Sequence, residues 1–166
     1  MKKSIILQKD KYAGFTLIEL LVVVSLIGIL ATLIMANLNA TRGRARDSQR
    51  KSDIRNIQTA LRIYYNDEGQ YPTSSSGRIV ACGSGSTACD WGDTFSNTAQ
   101  TYMSVMPIDP LPDRKYLYTY DAVNDEYTLE TCLENDSDQA CNGGNCTAAF
   151  ATGPGTPDGC IYTVIP

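Results

Sequence analysis

Hydrophobic and polar positions divide the chain into regions with different patterns. The first region is a continuous apolar run from Phe15 to Ala36, 22 residues long, in which the single ionisable residue is Glu19. At about 1.5 Å per residue, a helix of this length spans roughly 33 Å and can cross the hydrocarbon core of a bilayer. The run therefore predicts a transmembrane helix. Glu19 becomes a candidate functional residue, because a charge inside a membrane is costly.

Beyond the run, apolar residues recur with the spacing of an amphipathic helix. The recurring positions form one stripe, Ile54, Ile57, Leu61 and Tyr64. No Pro or Gly interrupts residues 44–68, and Gly69 with Pro72 then forms a stop signal. We predict one continuous helix from Phe15 to Asn66, whose second half packs under a head domain.

The last hundred residues alternate as β-strands do. We predict three strands, at 115–121, 126–133 and 160–165, the first two joined by a hairpin turn at 122–125. Asp93 could cap a short helix at about 94–105, and the Gly- and Ser-rich stretch 73–90 is typical of a surface loop. The fold expected from these patterns is α+β, a long N-terminal helix packed on a small antiparallel sheet.

These patterns predict four segments along the chain. They are a leader at 1–14, a transmembrane helix at 15–37, an amphipathic stalk helix at 38–68, and a globular head at 69–166.

The charge is distributed unevenly along these segments. The chain as a whole carries a formal charge of −4, but residues 67–166 hold 14 acids and three bases, a net charge of −11. Residues 38–66 hold seven bases and two acids, a net charge of +5. The basic stripe Arg42, Arg46 and Arg50 could be a solvated face, could contact acidic heads of neighbouring subunits, or could bind DNA. Without interleaved aromatic residues the nucleic-acid interpretation has little support.

The composition also restricts the chemistry of the protein. There is no histidine, so the chain has neither a His-activated nucleophile nor a His metal ligand. No sequence motif for catalysis is present, and we expect a protein that is not an enzyme.

Six cysteines follow the apolar run, which predicts disulfides in an oxidising compartment. They are Cys82, Cys89, Cys132, Cys141, Cys146 and Cys160. The short separation favours Cys82–Cys89. For the other four, the first expectation is Cys141–Cys146 nested inside Cys132–Cys160, and the second is Cys132–Cys141 with Cys146–Cys160. A zinc site is disfavoured because no Cys-x-x-Cys pair is present.

The segment Lys11-Tyr-Ala-Gly-Phe-Thr-Leu-Ile-Glu19 resembles the class III signal of type IV pilins and type II secretion pseudopilins. The resemblance implies that a prepilin peptidase cleaves between Gly14 and Phe15 and that Phe15 is N-methylated. It also implies a homopolymer in a helical filament, built by an inner-membrane platform and an ATPase. Glu19 would then pair with the new α-amine of Phe15, on its own or a neighbouring subunit. An uncleaved signal anchor is the alternative.

Residues 107–110, Pro-Ile-Asp-Pro, together with the tyrosine-rich strands resemble the head of major pseudopilins, a group that often binds calcium in a C-terminal loop. Glu134, Asp136 and Asp138 are weak calcium candidates here, because carboxylate oxygens suit Ca²⁺. The full Asp-x-Asp-x-Asp-Gly pattern is absent, so a plain acidic loop is the stronger interpretation.

Three functions remain open from the sequence. The first is a subunit of a type IV pilus for adhesion, motility or DNA uptake, favoured by the cysteine-rich head. The second is the major pseudopilin of a type II secretion system, and the third is a membrane-anchored binding module that does not polymerise. We expect a single-pass membrane protein with its head outside the cytoplasm, and an extracellular or periplasmic filament after assembly.

Overall fold

A computed structural model of the chain describes residues 14–83 and 87–166. The predicted leader lies outside the described residues except for Gly14. One long helix, α1, covers Leu17–Glu68 and agrees with the predicted helix. It ends where Gly69, with φ +74°, donates its backbone N–H to the Tyr65 carbonyl at 2.8 Å. A glycine in the left-handed region is a common C-terminal cap, because it carries no side chain to clash.

The chain divides into two compact units at Asn39 and Ala40, within α1. The second unit carries eight described strands and one short 3₁₀ helix, Ala148–Phe150. The strands are β1 (Thr73–Ser75), β2 (Arg78–Cys82), β3 (Thr87–Ala88), β4 (Phe95–Ser96), β5 (Thr101–Met103), β6 (Leu117–Asp121), β7 (Glu126–Leu133) and β8 (Cys160–Val164). They form three antiparallel groups, β1-β2-β3, β4-β5 and β6-β7-β8.

The three predicted strands are confirmed as β6, β7 and β8, and the tight turn at 122–125 joins the first two. The expected helix at 94–105 is wrong. The segment is the β4-β5 hairpin, in which the Asn97 side chain accepts hydrogen bonds from the backbone N–H groups of Ala99 and Gln100 at 2.9 and 2.7 Å. Such local bonds offer the backbone an alternative to the helix.

The stretch expected to be a surface loop, 73–90, instead contains the β1-β2-β3 sheet. Ile79 and Ala81 of β2 point inward and are 1% and 0% exposed. Burial therefore alternates along β2, as it does in a strand with one face on the core.

The predicted apolar stripe of α1 is confirmed as the centre of the core. Ile54, Ile57 and Leu61 are at most 1% exposed. They share a buried cluster with inward-facing residues of β6 and β7, among them Tyr118, Tyr127 and Leu129. Full burial of an aliphatic or aromatic side chain contributes about 1.5–3 kcal/mol, so this contact between helix and sheet stabilises the head.

Three disulfides close the head, and one of them was predicted. Cys82–Cys89 is confirmed, whereas the remaining bonds are Cys132–Cys146 and Cys141–Cys160, so both expected arrangements of the other four are wrong. The register of β7 and β8 explains why the expected Cys132–Cys160 bond does not form. Cys132 pairs with Ile161 and Leu133 with Cys160, so the two cysteines are one position out of register. Side chains of successive positions point to opposite faces of a sheet, which separates Cys132 from Cys160.

Candidate assembly site

The described chain begins at the predicted processing site, next to the first turn of α1. Gly14 and Phe15 are exposed, and Phe15 is 90% exposed. Glu19 Oε2 accepts hydrogen bonds from the backbone N–H of Thr16 at 2.9 Å and from its hydroxyl at 2.8 Å. In return, the Glu19 N–H donates to Thr16 Oγ1 at 3.3 Å. This reciprocal pair is a capping box, and it holds the carboxylate at the N-terminal end of the helix, where the helix dipole favours an anion.

The apolar part of α1 presents its side chains to the surroundings. Its large apolar side chains from Leu17 to Met35 are each more than half exposed. Two polar residues in this segment bond to the helix itself, Ser25 to the Val22 carbonyl at 2.8 Å and Thr32 to the Ile29 carbonyl at 2.7 Å. By length and composition α1 is able to cross a membrane. Its exposed apolar surface suits lipid or the same surface of another subunit.

A buried ion cluster joins the stalk part of α1 to the loops of the head. At its centre Arg50 is 0% exposed and makes a two-pronged contact with Asp109, both bonds at 2.8 Å. Its Nη1 also donates to Asp47 and Glu134, each at 2.8 Å. Arg46 completes the cluster with bonds of 2.7 and 2.5 Å to Glu134.

This ion cluster, formed by Arg46, Asp47, Arg50, Asp109 and Glu134, fixes two loops on the helix. Asp109 belongs to the Pro-rich segment before β6, and Glu134 follows β7 directly. Asp47 also accepts the backbone N–H groups of Glu134 and Asn135 at 2.9 and 3.0 Å. Burial opposes the charge of Arg50, but the hydrogen bonds that Arg50 donates to Asp109 and Glu134 outweigh it and raise the pKa of this guanidinium.

The sequence left three interpretations of the basic stripe open, and none of them anticipated that Arg46 and Arg50 bind acids of their own head. Both contact acids of their own head, and Arg50 is fully buried, whereas Arg46 is half-buried and Arg42 is exposed. A signal for this was present in the sequence. Arg50 lies four residues before Ile54 and seven before Ile57, on the core-facing stripe of the helix. The partner role of Asp109 had no such local signal.

The weak calcium candidates do not fit a metal site. Glu134 is held by Arg46 and Arg50, and Asp138 binds Lys51 Nζ at 2.7 and 2.6 Å. Asp136 is exposed. Among residues 14–83 and 87–166, no three His, Cys, Asp or Glu side chains gather in a way that could hold a metal ion. The carboxylates of Glu134 and Asp138 are therefore already paired with cationic side chains of α1.

The ion cluster predicts acid sensitivity of the fold. Hydrogen bonds from Arg46 outweigh burial and, with those from Arg50, lower the pKa of Glu134 from 4.5 to about 2. A lowered carboxylate pKa stabilises the fold fully above about pH 4.5, and this contribution is lost as the pH falls through about 2. It amounts to about 3 kcal/mol. Urea unfolding between pH 2 and 6 should show this loss. Glu134→Gln should have a lower free energy of unfolding at pH 6, and that free energy should fall less as the pH drops. An identical pH profile for this variant would contradict the assignment.

The long apolar helix with its capped N-terminus, and the disulfide-bonded antiparallel head on its second half, define a pilin-like protein. Residues 9–35 match the family described as "Prokaryotic N-terminal methylation motif". Residues 37–146 match the family described as "Type II secretion system (T2SS), protein G". The second match covers more than half of the chain, which therefore belongs to the type II secretion system protein G family. This is a family of structural pseudopilins and not of enzymes.

Curated relatives agree with the family match. The chain is 41% identical to the type II secretion system core protein G of Escherichia coli K12 over 68 aligned residues. These residues make up 41% of this chain and 47% of the relative. The chain is 39% identical over 71 residues to the protein of the same name from Aeromonas hydrophila, covering 43% of this chain and 50% of the relative. The chain thus spans about half the length of these relatives. No solved structure gives a significant match.

Proposed function

We propose that the chain is the repeating subunit of a type II secretion pseudopilus, a periplasmic filament that serves protein export. The protein G family match carries this proposal. The sequence alone favoured a type IV pilus, mainly because of the cysteine-rich head. The comparisons support the pseudopilus better, because the relatives from Escherichia coli and Aeromonas hydrophila are both secretion-system core proteins.

Assembly begins, in this proposal, with cleavage between Gly14 and Phe15 by a prepilin peptidase and with methylation of the new amine. The geometry of the capping box supports a role for Glu19 in the packing of the cleaved subunits. Its carboxylate lies 2.9 Å from the N–H of Thr16, the residue next to Phe15. Cleavage therefore creates a positive charge on the residue next to Thr16, whose backbone N–H already holds the Glu19 carboxylate. In the filament this acid pairs with the amine of Phe15, on the same or a neighbouring subunit.

The exposed apolar surface of α1 supplies the packing energy of the filament, and an inner-membrane platform with its ATPase lifts subunits from the bilayer. The three disulfides suit a head that folds in an oxidising compartment outside the cytoplasm. The subunit is then a single-pass membrane protein before assembly.

Intact mass of the native protein tests the processing step. We expect loss of residues 1–14 and a gain of one methyl group at Phe15. Gly14→Val should retain the full leader and yield no filaments, because a branched side chain replaces the small residue at the cut. A native protein that keeps its leader would favour the non-polymerising membrane-anchored module.

Deletion of the gene in its native host distinguishes the two filament machines. Loss of a pseudopilus subunit should leave exported proteins in the periplasm and surface motility unchanged. Loss of motility or of DNA uptake with normal export would support the type IV pilus instead.

A further inference from the structure

The basic residues of the head converge on a single cavity. Residues 69–166 contain three basic side chains, Arg78, Arg114 and Lys115. All three line one cavity of about 470 Å³, together with Trp91, the single tryptophan of the chain. We call it the basic cavity. Because the head has a large excess of acids, the basic cavity is a cationic site on an otherwise anionic surface.

Two of the three cations in the basic cavity have no carboxylate partner within the described residues. Arg78 pairs with Asp90, and the other lining acid, Asp109, is held by Arg50. Arg114 is 8% exposed, yet its two Nη atoms donate to neutral groups, the carbonyls of Cys132 and Asp158 at 3.3 and 2.8 Å and the Cys132 sulfur at 3.2 Å. A buried cation without a counter-ion is costly, so the site favours an anion.

Unsatisfied donors at the same residues point to a hydrogen-bonding ligand. Arg114 Nε and Trp91 Nε1 are both buried without a hydrogen-bond partner. Most buried polar groups in proteins are paired, so two such donors on residues that line one cavity need an explanation. Ile108, which is 59% exposed, adds an apolar wall. The combination suits a carboxylate carried on a partly apolar segment.

The turn between β6 and β7 has the complementary chemistry. Val123 at its tip is 91% exposed, and Asp121 and Glu126 flank it as exposed acids. The Glu126 side chain has no ion-pair partner among the described residues. At about 3.3 Å per residue, this turn lies up to about 20 Å along the chain from Lys115, at the other end of β6. A head therefore offers a cationic cavity at one end of β6 and an acidic, apolar tip at the other.

We propose that the basic cavity binds the acidic β6-β7 turn of a second copy of this chain. Two different surfaces meet in such a contact, so it is heterologous and can extend into an open helical polymer. The inference rests on the proposed filament, because it assigns to that filament a specific contact between heads. The contact would also offset the repulsion between strongly acidic neighbours.

Photo-crosslinking in assembled filaments tests the contact. Full-length protein carrying benzoylphenylalanine at position 123, expressed with its assembly machinery, should form dimers whose linked peptides include Trp91, Ile108 or Lys115. The same probe at Thr119, an exposed position on the same strand, should not link to the cavity. Crosslinks from position 123 to any other surface would overturn the proposal, as would capture of an unrelated protein by a probe at position 108.

Swapping the charges of Lys115 and Glu126 is a second test of the contact. Lys115→Glu and Glu126→Lys should each lower the yield of the crosslinked dimer about tenfold, because like charges then face each other. The double variant should recover most of the yield. Unchanged disulfide pairing and melting temperature in each variant confirm that the head is folded. Normal filaments in which the yield ignores these charges would overturn the contact alone, whereas absence of filaments from the wild type would overturn the proposed function.

Discussion

Glu19→Ala should abolish filament assembly while membrane insertion and leader cleavage remain intact. In the filament the acid would lie among apolar helices and pair with the new amine of Phe15. Removing one partner of such a buried pair costs about 3–5 kcal/mol, because the other charge is left uncompensated. Electron microscopy of sheared filaments, together with the intact mass of the membrane-bound protein, measures both parts of the prediction.

Two control variants separate the charge of Glu19 from its role in the helix cap. Thr16→Ala removes the hydroxyl that donates to the carboxylate at 2.8 Å but keeps the acid, so filaments should still form. Its cost is about 0.5–2 kcal/mol of cap energy. Glu19→Gln keeps the shape but removes the charge, and it should fail as Glu19→Ala does. Normal filaments from Glu19→Gln would reject the ion pair.

Arg50→Met should destabilise the head by about 3–5 kcal/mol, the largest effect expected for a single residue of the stalk. Methionine fills much of the space but leaves the carboxylates of Asp47, Asp109 and Glu134 close together without their shared cation. Urea unfolding of the full-length protein in detergent micelles, followed by Trp91 fluorescence, measures the change in the free energy of unfolding.

Arg55→Met is the matched control for this prediction. Arg55 lies on the same helix, five residues further on, with an exposed side chain and no ion pair among the described residues. Its loss should change the free energy of unfolding by no more than about 0.5 kcal/mol. Equal effects of Arg50→Met and Arg55→Met would show that the ion cluster does not hold the loops.

Local patterns predicted the parts of the fold that depend on neighbours in the sequence. The period of the apolar stripe placed α1 correctly, and alternation placed the β6-β7 hairpin and β8. Sequence reasoning failed at residues 94–105, where the helix expected after Asp93 gives way to the Asn97 turn. A few hydrogen bonds from one side chain decide between helix and hairpin in so short a segment, and periodicity does not count them.

The disulfides and the ion cluster depend on groups far apart in the sequence. Sequence separation favoured nested loops for the last four cysteines, but the register of β7 against β8 turned Cys132 and Cys160 to opposite faces. Glu134 was a weak calcium candidate, because carboxylates are its sequence neighbours, yet its spatial neighbours are Arg46 and Arg50, at least 84 residues away.

By itself the sequence determined the character of this protein. An apolar run of membrane length that follows a Gly-Phe pair, with an acid at its start and an amphipathic helix after it, depends on local spacing and composition alone. The tertiary structure decided which charges meet. Only folding brings Asp109 and Glu134 to Arg50, and gathers Arg78, Arg114 and Lys115 around one cavity. The reason is physical: helices and strands follow from the periods of the chain, whereas ion pairs, disulfides and cavities depend on strand register and packing between distant segments.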